Sequence, residues 1–116
     1  MKQNIISTGF NHPPKNISCN PKICRQICKD YCIHAEEHAI LNSDKSSLEN
    51  AVIYHARLID NNGKFETANS RKPRCLRCAN LILDCGLSGF VLKHEEGVAF
   101  YSAKENYNIS LENTLK

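Results

Sequence analysis

Two stretches decide how this chain is interpreted: Pro73-Arg74-Cys75-Leu76-Arg77-Cys78 and, about forty residues earlier, His34-Ala35-Glu36. One imidazole and two thiolates can fill three corners of a tetrahedral zinc site and leave the fourth for water. Zinc lowers the pKa of such a water to roughly 7, which supplies hydroxide at neutral pH. Because an open fourth corner is typical of catalytic zinc, the residues predict a catalytic Zn²⁺ site with His34, Cys75 and Cys78 as ligands.

Glu36 lies two residues after His34, at the predicted start of a helix. At this spacing its carboxylate can reach a metal-bound water without ligating the metal, and it can carry a proton to a substrate nitrogen. We therefore predict Glu36 as the catalytic acid and base. The alternative is a structural zinc knuckle whose fourth ligand comes from the cysteines between positions 19 and 32, in which case Glu36 is only a surface charge.

The pairing of H-x-E with P-C-x-x-C resembles the zinc-dependent cytidine and deoxycytidylate deaminases. Gly9-Phe10-Asn11 is similar to the Gly-aromatic-Asn substrate loop of that family, and the stretch from residue 73 to residue 91 is similar to its second metal helix and the strand that follows. One departure is Arg74, which separates Pro73 from Cys75, as in smaller bacterial and phage-like members.

The resemblance implies an α/β fold of the cytidine-deaminase type, with three α/β/α layers and a mixed sheet, in a single domain over residues 1–116. We expect it without the helix and first strand that usually open family domains. The resemblance also implies hydrolytic deamination of a cytosine nucleotide, dCMP or a relative, to its uracil product and ammonia. It places Asn11 and Ala35 in contact with the substrate, although Asn11 can equally be no more than a turn former.

The sequence is also compatible with other functions. The same metal chemistry serves deaminases of other bases, including adenosine in tRNA and guanine. A non-catalytic, zinc-stabilised remnant of the fold is a further alternative, and so is a toxin-like deaminase acting on single-stranded nucleic acid. The net charge is only +3, and the sequence contains no basic stripe interleaved with aromatic residues. We therefore favour a small nucleotide or nucleoside over nucleic acid as the partner.

A second group of cysteines precedes the His-Ala-Glu triplet. Helical spacing places Cys24, Cys28 and Cys32 along one face, and Cys19 can fold back from the preceding loop, so the group can hold a second, structural Zn²⁺. Some deoxycytidylate deaminase relatives carry such a site. The alternative is that these cysteines are small buried hydrophobic residues.

The run from His34 to His38 also spells H-x-x-E-H, the inverted signature of some zinc peptidases. We discount this match because it leaves Cys75 and Cys78 without a role, and we predict His38 as a residue on a helix face.

Apolar periodicity and turn residues predict alternating helices and strands. The predicted helices begin at Pro21, near Ala35 and at Cys75, the last of them ending at Gly86, and a short one covers residues 104–107. The predicted strands are residues 5–7, 51–59, 64–67, 90–92 and 98–101, with a polar linker at 42–50 and a turn at 60–63.

Composition agrees with one small domain. The 116 residues include seven cysteines and neither a secretory apolar segment nor a run long enough to span a bilayer. We therefore expect a cytoplasmic protein in a reducing compartment, with no membrane partner. Clustered cysteines there are metal ligands or buried thiols rather than disulfides, and the odd count leaves at least one unpaired in any disulfide scheme. The family that the chain resembles often self-associates, and an incomplete sheet would add a reason for this chain to form homo-oligomers.

Overall fold

The computed structural model describes residues 4–27 and 32–116, without the side chains of residues 24–26. The chain divides into two compact units, Met1–Leu48 and Glu49–Lys116, which we describe separately. The single domain expected over residues 1–116 stays a prediction.

The first unit contains three described helices: α1 (Pro21–Gln26), α2 (Ala35–Leu41) and α3 (Lys45–Leu48). Helix α1 begins where Asn20 caps the backbone amides of Lys22 and Ile23, with Pro21 in the first helical position. The helix starts predicted at Pro21 and near Ala35 are confirmed. Part of the predicted linker is wrong, because α3 forms within it and buries the side chain of Leu48.

Residues 5–7 do not form the strand that their β-branched composition predicts. The β pairing described in this unit is a single bridge between His12 and Ile33. The Ser7 hydroxyl instead donates a hydrogen bond to the carbonyl of Ala39 in α2, at 2.7 Å. Ile5 is 86% exposed, so within residues 4–27 and 32–116 this segment has neither a strand partner nor a buried face to stabilise a β-strand.

The second unit is built on a three-stranded mixed sheet of β1 (Val52–Tyr54), β4 (Gly89–His94) and β5 (Gly97–Ser102). The central strand β4 pairs in parallel with β1 and antiparallel with β5. Its first four residues are buried, which is expected of a strand with a neighbour on both sides. The predicted α/β class with a mixed sheet is confirmed, whereas the three-layer arrangement stays a prediction.

Strands β2 (Arg57–Asn61) and β3 (Lys64–Ala68) form a separate hairpin. Asn62 and Gly63 turn the chain with φ angles of 54° and 86°, and the Asp60 carboxylate accepts a hydrogen bond from the Gly63 amide. The predicted turn is confirmed. The single strand predicted over residues 51–59 is wrong, because its two halves pair with different partners and belong to different sheets.

Two helices complete this unit, α4 (Leu76–Asp84) and α5 (Ala103–Leu115), and they pack on one another. Helix α4 buries Ala79 and Ile82 and is followed by Gly86 with φ +80°, which confirms the predicted stop. The short helix predicted at residues 104–107 is longer than expected, because α5 runs for 13 residues. None of the helices in the described part of the chain has the length and apolar character needed to cross a bilayer.

Candidate metal centre

The two cysteines of the C-x-x-C motif stand at the beginning of α4. Cys75 is the N-cap residue and is half-buried, while Cys78, in the third helical position, is only 3% exposed. Their Sγ atoms lie 3.0 Å apart, and the backbone amide of Cys78 donates a hydrogen bond to Cys75 Sγ at 3.3 Å. Amide donors at a helix N-terminus stabilise negative charge on sulfur, so this position favours thiolate ligands.

His34 stands at the beginning of α2, again as the N-cap residue. The side chain of Glu37 reaches back and accepts a hydrogen bond from the His34 backbone amide at 2.9 Å. This carboxylate satisfies one of the amides that a helix start leaves without an intrahelical partner. The backbone that carries the His34 imidazole is therefore fixed by its own helix.

A loop from the N-terminal segment lies against the same helix. A Cβ atom at Gly9 would overlap the carbonyl oxygen of Ala35 and the amide nitrogen of Ala39, so only glycine allows this approach. Two residues later, Asn11 Oδ1 accepts a hydrogen bond from the Ala35 amide at 2.6 Å. The two predicted substrate contacts, Asn11 and Ala35, are thus bonded to each other, and their role in substrate binding stays a prediction.

His34, Cys75 and Cys78 form a group that can hold a metal ion, because one ligand atom of each lies within 4.8 Å of the others. Bond lengths of about 2.0–2.3 Å place the ligands of a tetrahedral zinc roughly 3.3–3.8 Å apart. One imidazole and two thiolates suit zinc and disfavour Mg²⁺ and Ca²⁺. The three residues predicted as ligands are close enough to bind one ion.

Glu36 occupies the first turn of α2 and is half-buried. This is the helix position that the sequence predicts for it. Its role as the catalytic acid and base is not decided by this placement and stays a prediction.

His38 has partners of its own. Its Nδ1 atom accepts a hydrogen bond from the Phe10 amide at 3.1 Å, and its ring packs on the rings of Phe10 and His12, with centroid distances of 4.9 and 4.2 Å. The capping role of Glu37 and these contacts of His38 account for the last two residues of the H-x-x-E-H run without a peptidase site. The sequence does not signal that Glu37 caps the helix, since a capping box is usually marked by Ser or Thr at the N-cap position.

The second predicted metal site stays a prediction. Cys19 is exposed and Cys32 is half-buried, whereas the Cys24 side chain and all of Cys28 lie outside the described residues. In residues 4–27 and 32–116, the His34 group is the one set of three or more metal-ligating side chains that lie close together.

Comparisons with known proteins assign this chain to no family. No protein-family model, no curated protein and no solved structure matches this chain.

Proposed function

We propose that this protein is a zinc-dependent hydrolase that deaminates a cytosine-containing nucleotide, dCMP or a close relative, to its uracil product. The observation that supports this proposal is the His34, Cys75 and Cys78 group, in which three ligands are gathered within 4.8 Å. Three protein ligands leave one tetrahedral position for water, as catalytic zinc sites do. The resemblance to cytidine and deoxycytidylate deaminases supplies the reaction and the substrate class.

The proposed chemistry assigns separate tasks to the residues. Bound zinc would supply the Lewis acidity that makes water a nucleophile at neutral pH. Glu36 accepts the proton that this water loses when its oxygen attacks C4, and delivers it to ring nitrogen N3. Glu36 then takes the second proton from the oxygen now bonded to C4 and passes it to the amino group, so that the C4=O bond forms as the C4–N bond breaks, one water is consumed and one ammonia is released.

Binding and orientation fall to the loop against α2. Asn11 Oδ1 is already bonded to the Ala35 amide, which leaves the Asn11 amide nitrogen as a donor for a sugar hydroxyl. An amide oxygen held this firmly reduces the ordering cost when the nitrogen binds substrate.

The test combines metal content with ammonia release on cytidine, dCMP, adenosine, guanine and short oligonucleotides. We expect one zinc in the His34 group and turnover on dCMP. Glu36→Ala should keep its zinc and lose turnover by roughly two or more orders of magnitude, whereas Cys75→Ser should lose both. Glu66→Ala removes an exposed carboxylate of the hairpin and should leave both properties unchanged.

Other outcomes separate the alternatives. Turnover on another base alone would keep the metal chemistry and reject the substrate class. Bound zinc with no turnover on any substrate would identify a structural site. Loss of zinc in the Glu36 variant would contradict a catalytic role, because a residue that only moves protons does not hold the metal.

A further inference from the structure

The segment that leads into Cys75 has no regular secondary structure between residues 69 and 75. Its backbone polar groups therefore need partners outside a helix or a sheet. The amide of Ser70 donates to the carbonyl of Lys93 at 2.7 Å, and the carbonyl of Pro73 accepts from Asn113 Nδ2 at 2.9 Å. Strand β4 and helix α5 thus hold two points of the segment that delivers the cysteine pair.

His94 makes the third attachment. Its Nδ1 atom lies 2.8 Å from the carbonyl oxygen of Ser70, and its Nε2 atom lies 2.7 Å from the Tyr101 hydroxyl. A carbonyl only accepts hydrogen bonds, so Nδ1 carries the proton; in the neutral ring Nε2 is then the acceptor, and it receives the tyrosine O–H. The chain of hydrogen bonds thus runs from Tyr101 through His94 to Ser70.

Tyr101 is well suited to donate the hydrogen bond to His94 Nε2. Tyr101 is half-buried on β5, and its ring meets the His94 ring edge to face at a centroid distance of 5.8 Å. Burial raises the pKa of its hydroxyl, and the negative charges of Glu96 and Glu105 raise it further. The hydroxyl therefore keeps its proton at neutral pH and fixes the orientation of the imidazole.

We propose that His94 is a positioning residue for the metal centre: oriented by Tyr101, it anchors the Ser70 carbonyl and so holds Cys75 ready to bind metal. This inference rests on the proposed zinc site. Its physical basis is preorganisation, because a ligand on a tethered segment loses less conformational freedom when it binds the ion. His94 acts through the backbone and need not approach the metal.

Two amide substitutions separate the two bonds of the ring. In His94→Asn the side-chain nitrogen falls near the position of Nδ1 and can still donate to Ser70. In His94→Gln the side-chain amide falls near the position of Nε2, where its oxygen can accept the Tyr101 O–H, so only the contact with Tyr101 can persist. Tyr101→Phe removes the hydroxyl that orients the ring, and Tyr54→Phe removes an exposed hydroxyl from the same sheet as a matched control.

Zinc affinity is measured by competition with a chromophoric chelator, and the thiolate bands of the Co²⁺-loaded protein report the ligand geometry. We expect His94→Gln and Tyr101→Phe to bind zinc about tenfold more weakly, which is the lower end for residues that support metal ligands. His94→Asn and Tyr54→Phe should stay close to the wild type. Amide exchange of Ser70, followed without metal, should be faster in His94→Gln than in His94→Asn.

The results distinguish the two proposals. Equal zinc affinities and Co²⁺ spectra in all variants, with zinc bound by the wild type, would overturn the positioning role and leave the proposed function intact. A wild type that binds no zinc would overturn both. Equal losses of affinity and of metal-free stability in the Asn and Gln variants would reduce His94 to general folding support, which also refutes the inference.

Discussion

The substitution Gly9→Ala tests whether the N-terminal loop is held against α2 as the structure describes. The new Cβ would overlap Ala35 O and Ala39 N and would lie 3.0 Å from Ala39 Cα. All three obstacles are helix backbone atoms, which cannot rotate away as a side chain can. Either the helix and the loop are strained together, or the loop detaches.

Both routes have a similar cost. Overpacking of this kind costs about 1–3 kcal/mol. Detachment gives up at least three hydrogen bonds to α2, from the Ala35 amide to Asn11, from Ser7 to the Ala39 carbonyl and from the Phe10 amide to His38 Nδ1, each contributing about 1 kcal/mol. Because the variant populates whichever of these two states has the lower free energy, we expect Gly9→Ala to lower the free energy of unfolding by about 2 kcal/mol.

The assay is urea unfolding followed by far-UV circular dichroism, with a chelator present so that metal does not contribute. Gly63→Ala is the control, since Gly63 has a positive φ and open space around it and should lose only about 1 kcal/mol. In the detached state Asn11→Ala should add little to Gly9→Ala, which a double-mutant cycle measures. A Gly9→Ala protein within about 0.5 kcal/mol of the wild type would refute the close approach.

Three further predictions concern single side chains. Ser110 on α5 is fully buried and its hydroxyl has no hydrogen-bond partner among the residues that the structure describes, so Ser110→Ala should stabilise the protein by about 1 kcal/mol in urea unfolding. The amide and hydroxyl of Ser102 hold the pKa of Glu105 below its ordinary value of 4.5. The ionised carboxylate therefore contributes stability above about pH 4.5, and this contribution is lost as the pH falls through the lowered pKa. Glu105→Gln should flatten the dependence of stability on pH in that range. Glu37→Ala removes the bond to the His34 amide and should cost about 1 kcal/mol, whereas Glu37→Gln keeps an acceptor and should cost less.

Each of these has an opposing result. A loss of stability in Ser110→Ala would mean that the hydroxyl bonds a backbone carbonyl of its own helix. An unchanged acid titration curve in Glu105→Gln would show that the unfolded state retains the same hydrogen bonds. Equal losses in the two Glu37 variants would show that its charge, rather than its role as an acceptor, stabilises the start of α2.

Short sequence patterns correctly predicted the helix boundaries and turns that depend only on neighbouring residues. Pro21 and Pro73 precede or begin helices, Gly86 follows the end of one, and residues 60–63 form a hairpin turn. These features are predictable because each depends on backbone angles and amide partners within a few residues. The grouping of His34, Cys75 and Cys78 was likewise predictable, since a metal ion such as zinc accepts ligands of only a few residue types.

The errors have a common cause. Residues 5–7 have the composition of a strand, and residues 51–59 look like one continuous strand, yet strand formation depends on a partner that composition does not reveal. Helix α5 extends to Leu115 because it packs on α4 and begins at a capping box, while its own apolar pattern is weak. No sequence pattern assigns a role to His94, because Ser70 and Tyr101 contact it only in the folded chain.

The sequence by itself determined the ligand chemistry, the helix starts at His34 and Cys75, and the α/β class, because each follows from residue type and short spacing. Only the tertiary structure decided which strands pair and which residues hold the segment before Cys75. These contacts join positions between seven and forty residues apart, and their gain appears only once the chain has closed the intervening loops.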